Sequence, residues 1–512
     1  MTFSWGLLLG VAQVIWVAGI ACFIMLERRS PAATLAWITM VAALPLVGVV
    51  IYLLVGPRRL RRKKLRLKLA RHRVNILLQE WKQARAELLS LQGQLMRAGA
   101  QLGKLPPEEA HETELFVGGD ACYDAVVAAI GSARHHVHLE YYIFRDDPTG
   151  MRIINALAER ARAGVEVRLL ADAVGERIRR AAMRSLREAG VEVRFFNGVR
   201  RFRPWSRLMN FRTHRKIVVI DGWVGFTGGM NVTDDHSVRA NGQDAWRDTH
   251  LRITGPAVHG LQATFLENWV FTTGDDLGCG DRERFATLFP PTPAGSELSA
   301  RTVLKHDDGD DKDDAACASS PALKASASAA HQQIAQILAS GPDDDVHAIE
   351  AFYFAAITSA HERLWLTTPY FVPGEPLLAA IASAAHRGVD VRLLFPRKTD
   401  SIWVDAASRT FHDELLAAGA HIYLYEPSML HAKTAVIDDA VAIVGTANLD
   451  NRSFHLNFEV VAALYGGPVV AELARAFELD LTHAKRQERR EAKSPFVQRL
   501  LASAARLLAP QL

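Results

Sequence analysis

His214-Arg215-Lys216-Ile217-Val218-Val219-Ile220-Asp221 and His431-Ala432-Lys433-Thr434-Ala435-Val436-Ile437-Asp438 are two copies of one pattern, His-x-Lys-x4-Asp. Each is followed by a Gly-x-x-Asn element, Gly228 to Asn231 in the first copy and Gly445 to Asn448 in the second. In both, the glycine and asparagine stand fourteen and seventeen residues after the histidine. One triplet would be weak evidence; two with the same downstream spacing are not an accident of composition. The residues between Lys and Asp are apolar, rich in β-branched side chains and bounded by turn formers, which predicts a short buried strand in each copy. Alternation along extended chain places His214 with Lys216, and His431 with Lys433, on one surface.

That pairing of residue types has a chemistry. A neutral imidazole is a nucleophile and a protonated one an acid, and an ordinary pKa of about 6.5 lets two histidines take those opposite roles near neutral pH. A lysine beside each supplies a point charge for a phosphoryl oxygen that gains charge as phosphorus is attacked. Two histidines and two lysines therefore point to phosphodiester cleavage. The chain has no clustered Cys/His or paired Asp motif at metal-ligand spacing, so no metal or other cofactor is expected.

A second repeat lies upstream of the motifs. Val126 to Phe144 parallels Ala355 to Phe371, and Ala163 to Leu170 parallels Arg387 to Leu394, so each half reads strand, helix, strand and then motif strand. This alternation predicts an α/β layered fold of two pseudo-symmetric halves, with the histidines meeting at the seam. The expected divisions are an apolar hairpin over 1–57, a basic collar and helical spacer over 58–112, a first half over 113–275, a linker over 276–345, a second half over 346–485 and a terminal helix over 486–512. Within the linker, Lys305 to Asp311 and the Ala/Ser-rich tract after it cannot support a core, and 297–330 reads as a disordered insertion. Its Asp run lacks the Gly and Glu positions of an EF-hand loop.

Residues 3–26 and 32–55 are almost uncharged and apolar, each near the ~20 residues that cross a bilayer core. A cleaved signal peptide would need a positive leading region and a shorter apolar run, so a transmembrane hairpin is expected. Ten Lys or Arg follow between Arg58 and Arg73, with no acid before Glu80, which sets that end on the cytoplasmic side. Whether the collar also recognises anionic lipid stays open. The overall net charge of +4 is too small to argue for nucleic acid. Cys22, Cys122, Cys279 and Cys317 show no pairing or metal spacing, which suits a reducing compartment. Near the end, Phe496, Leu500, Leu501, Ala504, Leu507 and Leu508 recur at helical spacing beside Arg499 and Arg506. That stripe fits a helix in the membrane interface or one packed on the domain.

The doubled triplet resembles the phospholipase D superfamily, and the surrounding text is similar to its bacterial cardiolipin synthase branch. The similarity runs through Asn210 to Lys216, Trp246-Arg247-Asp248 with Gly255-Pro256, Thr368 to Pro373, Asn448 to Ser453 and Asn457-Phe458-Glu459, and covers most of the chain. The resemblance implies that one histidine attacks phosphorus while the other protonates the leaving alcohol and then deprotonates the acceptor. His214 is taken as nucleophile and His431 as acid then base, and the reverse stays open. It further implies that Lys216, Lys433, Asn231 and Asn448 hold the phosphate, and that Asp248 and Glu459, 34 and 28 residues after their respective histidines, orient them. For Asp221 and Asp438 a structural and a catalytic role are both open. Gly229 stands where the second copy has Thr446, so a hydroxyl contact to phosphate is expected from Thr446 alone. The implied partners are phosphatidylglycerol and other anionic phospholipids, at a bacterial inner membrane that the chain crosses more than once, with the catalytic part cytoplasmic. Alternatives keep the chemistry and change the acceptor: water, or a nucleic-acid backbone for which Arg200 to Trp205 offers basic and aromatic residues. A non-enzymatic lipid-binding scaffold would be expected to have lost part of one motif, and neither has.

Overall fold

Why the two repeats form one body is visible in a computed structural model, which describes residues 16–20, 22, 31–44, 48, 91–103, 105–197, 211–278, 280–291, 333–344 and 346–488. The strands of the first part are β1 (Glu108–Ala110), β2 (Glu112–Val117), β3 (His136–Tyr141), β4 (Glu166–Asp172), β5 (Glu192–Phe196), β6 (Ile217–Ile220), β7 (Val224–Gly228) and β8 (Thr249–Thr254). Those of the second are β9 (Gln333–Ser340), β10 (Arg363–Thr367), β11 (Phe371–Val372), β12 (Asp390–Pro396), β13 (His421–Tyr425), β14 (Thr434–Ile437), β15 (Val441–Gly445), β16 (Leu449–Asp450), β17 (Glu459–Tyr465) and β18 (Ala484–Gln487).

Both halves use the same wiring. The first sheet has the order β2-β8-β7-β6-β3-β4-β5 and the second β1-β9-β17-β15-β14-β10-β12-β13-β18. In each, three strands run parallel through helical crossovers, β3 with β4 and β5, β10 with β12 and β13. The motif strand joins this set antiparallel, β6 on β3 and β14 on β10. The inner parallel strands β3, β4, β10 and β12 and the motif strands are mostly buried, as expected where a sheet is covered on both faces, while β5 and β13 are partly exposed.

The halves share a core. Between the sheets, Phe265 and Trp269 of the helix Val258–Thr273 join Ile337, Phe458 and Val460 of the second half and Phe477 of the helix Pro468–Thr482 in one apolar cluster. Gly260 is required there, since a Cβ at that position would lie 2.7 Å from the Ile337 side chain.

The divisions differ from those expected. The helix Leu91–Gly103 is not a spacer: it buries Leu95 and Met96 against the second half, Gln92 Nε2 donates to the Ala440 carbonyl at 3.3 Å, and Gln336 Nε2 donates to the Leu105 carbonyl at 3.1 Å. β1 pairs antiparallel with β9, while β2, one residue later, pairs with β8. The chain therefore threads both sheets at His111. Further on, the helix Arg282–Leu288 stays with the first half through Arg284, which pairs with Glu166 at 2.9 and 2.5 Å. β9, a full member of the second sheet, begins at Gln333, ahead of the expected start of that half.

Much of the expected apolar hairpin lies outside the described residues. Within it the helix Pro31–Ala43 is 13 residues long and uncharged, and among the described residues no helix is long and apolar enough to cross a membrane. The basic collar, Arg200 to Trp205, the 297–330 tract and the terminal stripe lie outside the described residues. Of the cysteines, Cys22 and Cys122 are described, and both are free thiols.

Candidate active site

Each motif histidine precedes its strand, and its backbone is hydrogen-bonded to the other half. His214 N–H donates to the Phe458 carbonyl at 2.9 Å, while Phe458 N–H donates to the Arg212 carbonyl. By the same geometry, His431 N–H donates to the Arg247 carbonyl at 2.7 Å, while Arg247 N–H donates to the Met429 carbonyl. These two short parallel bridges, Thr213 with Phe458 and Arg247 with Leu430, are the covalent chain's means of joining the halves at the site. The residue after each bridging partner is an acid, and it lands beside the histidine of the opposite half. His214 Nδ1 lies 3.0 Å from Glu459 Oε2, and His431 Nδ1 lies 2.7 Å from Asp248 Oδ2. The expected pairing of each histidine with the acid downstream in its own half is thus corrected: the pairs are crossed. With Nδ1 of each ring donating to a carboxylate, Nε2 is the nitrogen free for chemistry.

Lys216 and Lys433 are buried next to these pairs, and each ammonium donates to the carbonyl of its own motif histidine, Lys216 Nζ to His214 at 2.7 Å and Lys433 Nζ to His431. Burial lowers the Lys216 ammonium to about 7 and that of Lys433 to about 8, against the pull of Glu459 and Asp248. Burial also pushes His214 down, opposed by Glu459 and reinforced by Lys216 and Lys433. His431 is held well below its ordinary value by burial, then by Lys433, Lys216 and His214. Burial works to raise the Glu459 carboxyl, but His214, Lys216 and the Thr446 hydroxyl outweigh it and keep it below the usual range. The site gathers two buried lysines beside the two carboxylate-held histidines, an arrangement suited to an anionic group.

The remaining motif positions divide. Asp221 and Asp438 do not join the site. Each follows the far end of its motif strand, seven residues or roughly 20 Å of extended chain from the histidine. There Asp221 accepts the N–H groups of Arg134, His135 and His136 at 2.8, 2.7 and 2.8 Å. Asp438 accepts those of His361, Glu362 and Arg363 at 3.1, 2.8 and 2.9 Å. Both sit at positive φ, 50° and 49°, closing the turn between motif strand and partner. Of the two roles left open by the sequence, the geometry supports the structural one for both.

Thr446 also departs from expectation. Its hydroxyl donates to Glu459 Oε2 at 2.5 Å and so braces the carboxylate instead of reaching outward. At the equivalent place Gly229 leaves room for Asp248, since a Cβ there would lie 2.1 Å from Asp248 Oδ1. Asn231 and Asn448 are both buried. Asn231 Oδ1 accepts from Ile143 N–H at 3.3 Å, whereas Asn448 Oδ1 has no partner among the described residues.

Several site residues escaped sequence reasoning. Tyr142 stands edge-on to His214 at 5.1 Å with Lys216 Nζ 5.7 Å from its ring centre, and Trp246 lies 5.2 Å from His431. Arg215 is fully buried and donates to the carbonyls of Glu459, Thr264 and Ser340, tying the first motif to the second sheet. Arg247 grips Asp480 through Nε at 2.9 Å and Nη2 at 2.6 Å, and its Nη1 donates to the Asp248 carbonyl at 3.0 Å, so the acid that orients His431 is fastened across the seam. A signal existed for Tyr142, which belongs to the upstream repeat. None existed for Arg215 or Asp480, whose partners are distant in the chain. Among the described residues, one set of His and carboxylate atoms is close enough to be weighed as a metal site, His236, Asp248 and His431, within 4.8 Å of one another. Two of its members are already a hydrogen-bonded pair.

Residues 126–269 and 353–481 match the family described as cardiolipin synthase, PLD-like domain, and residues 14–57 match the phospholipase D-nuclease N-terminal family. The chain is 39% identical over 517 residues to a cardiolipin synthase of Geobacillus kaustophilus, covering 99% of this chain and 95% of that protein. It is 35% identical over 513 residues to cardiolipin synthase 1 of Bacillus cereus, covering 98% and 94%. Among solved structures, the phosphatidylserine synthase of Haemophilus influenzae Rd KW20 is similar in fold at a TM-score of 0.57 and 14% identity, covering 82% of this chain and all of that one.

Proposed function

The chain belongs to the cardiolipin synthase family of phospholipase D-like proteins and is a phosphatidyltransferase, and from that premise we propose how its own residues carry the transfer. The substrate is phosphatidylglycerol. His214 Nε2 attacks phosphorus, the bond from phosphorus to the headgroup glycerol oxygen breaks, and His431 Nε2 gives that oxygen its proton. A second phosphatidylglycerol then enters, His431 takes the proton of its primary headgroup hydroxyl, and the oxygen displaces His214 from phosphorus. The products are cardiolipin and glycerol, and atoms and protons balance over the two steps. Glu459 and Asp248 hold the rings in the tautomer that leaves Nε2 available, and Lys216 and Lys433 face the phosphate oxygens with Asn231 and Asn448. Burial first and then the two lysines depress His431; the phosphodiester's charge offsets the lysines' part and favours the protonated acid as substrate binds.

The observation that carries this reading is the crossed pair of carboxylate-held histidines with a buried lysine beside each. Two apolar stretches near the start, a basic collar after them and the match over 14–57 support a hairpin in a bacterial inner membrane, with the catalytic part on the cytoplasmic side. The purified protein reconstituted in phosphatidylglycerol vesicles is expected to form cardiolipin and glycerol in equal amounts. Phosphatidic acid in place of cardiolipin would show that water is the acceptor. With radiolabelled phosphate in a phosphatidyl-p-nitrophenol donor, whose leaving group needs no acid, His431→Ala is expected to retain label and His214→Ala to retain none; label on His214→Ala reverses the assignment.

A further inference from the structure

Among the fully buried histidines, one that no motif contains lies against the site. His236 ends the short turn Asp234–His236, which is fixed on several sides: Thr233 caps it, Asp234 N–H donates to Asp147 at 2.8 Å, Arg145 pairs with Asp235 at 2.9 Å, and Trp246 N–H donates to the Asp235 carbonyl. The imidazole has no exposed surface, meets Trp246 edge-on at 5.4 Å and lies 5.7 Å from the His431 ring. Its two nitrogens are not equivalent. Nε2 accepts the Asn231 backbone N–H at 3.3 Å, so in the neutral ring the single proton belongs to Nδ1. That Nδ1–H has no hydrogen-bond partner among the described residues and stands 3.7 Å from Asp248 Oδ2, the oxygen bonded to His431. The same tautomer argues against the set as a metal site, since Nδ1 carries a hydrogen where a metal would need a lone pair.

We propose that His236 is a positioning residue for His431: its Nδ1–H faces Asp248 Oδ2 from 3.7 Å, beyond hydrogen-bond length, and its dipole draws on that carboxylate, limiting how strongly Asp248 pulls on the His431 proton. The arrangement is a His–Asp–His set, of which only His431 meets substrate. On the other acid no second histidine stands in that place: Glu459 is shared between His214, the Thr446 hydroxyl and Asn457 Nδ2 at 3.2 Å. The charged and titratable groups facing His236 are Asp248, His431, Lys433 and Lys216; Tyr123, on the helix Gly119–Ser132, commits its hydroxyl to the carbonyls of Asn231 and Thr233. Burial holds His236 at about 3, against Asp248, so it stays neutral and remains a donor throughout the working pH range. Without that N–H, Asp248 Oδ2 faces His431 alone while Oδ1 still accepts the Thr249 N–H at 2.7 Å, and His431 holds its proton more tightly.

This proposal rests on the transfer reading, and the test separates the two. Full-length wild type, His236→Phe, His236→Asn and His236→Gln are compared in phosphatidylglycerol vesicles for kcat, KM, pH dependence and thermal midpoint. An Asn side chain puts its N–H where Nδ1 was, while Gln puts it nearer Nε2. His236→Phe and His236→Gln are expected to lower kcat about tenfold with KM within about twofold, and to move the pH of fastest turnover upward. His236→Asn is expected to recover most of the rate and the original pH dependence. If Asn and Gln behave alike, or if Phe leaves rate and pH dependence as in wild type, His236 is packing and the proposal is overturned. If wild type yields phosphatidic acid and no cardiolipin, the transfer reading fails, and the same comparison is made on that product with the same expectations.

Discussion

The crossing of the acids makes a quantitative prediction that separates the two histidines. Asp248→Asn keeps the shape of the carboxylate and removes its charge, 2.7 Å from His431 Nδ1. When His431 carries its proton, the opposite charges are centred roughly 4 Å apart, and at an effective dielectric of about 20 the lost attraction is about 4 kcal/mol, or about a thousandfold in rate. That deficit belongs to proton donation, so it is expected when glycerol leaves and to shrink sharply when p-nitrophenol leaves, because a phenolate needs no acid. Glu459→Gln weakens the nucleophile His214, 3.0 Å away, and its deficit is expected with either leaving group. The assay is formation of labelled phosphoenzyme from phosphatidylglycerol and from phosphatidyl-p-nitrophenol by rapid quench. Rescue of Glu459→Gln by the better leaving group, with Asp248→Asn slow on both, would mean that each acid serves the histidine of its own half or that the roles of the histidines are exchanged.

Three other outcomes follow from the geometry. Lys216 and Lys433 are lowered to about 7 and about 8, so their charged forms are lost as pH rises through those values; kcat/KM for phosphatidylglycerol is expected to fall from about pH 7 upward, a decline that a flat profile to pH 9 would contradict. Arg247→Met strips the buried Asp480 of a two-bond partner across the seam, and a loss of about 3–5 kcal/mol in denaturant unfolding is expected, with Asp480→Asn milder because it leaves no buried carboxylate. Asp438→Ala removes the acceptor of three backbone N–H groups and is expected to cost about 1–3 kcal/mol of stability, read by thermal unfolding, while activity per folded molecule stays within about tenfold of wild type.

The halves and their motif strands were legible because both signals are local and repeated: β-branched runs at 217–220 and 434–437 became β6 and β14, and the upstream parallel became β3 to β4 and β10 to β12. The histidines and lysines were legible as residue types at a spacing. Which acid served which histidine was not, because the bridges that decide it join residues 245 and 183 positions apart. Pairing by order along the chain assumed that each half completes itself. Thr446 was read as a free hydroxyl, since nothing in a sequence says that a carboxylate will stand 2.5 Å away. His236 carried no signal at all: a single histidine in an acidic turn becomes informative only when Asn231 N–H fixes its tautomer.

The crossed wiring also sets a clock during synthesis. Residues 112 to 254 hold every strand of the first sheet, so that half has its own pairings as soon as it leaves the ribosome. His214, however, waits for Glu459, 245 residues later, and at about 5–20 residues per second the interval is about 12–50 s. Over that time the nascent chain holds one triplet without the carboxylate that directs it, and β1 waits likewise for β9. The first triplet therefore remains inert while the second half is still being made. Turnover begins only once the last strands have been made.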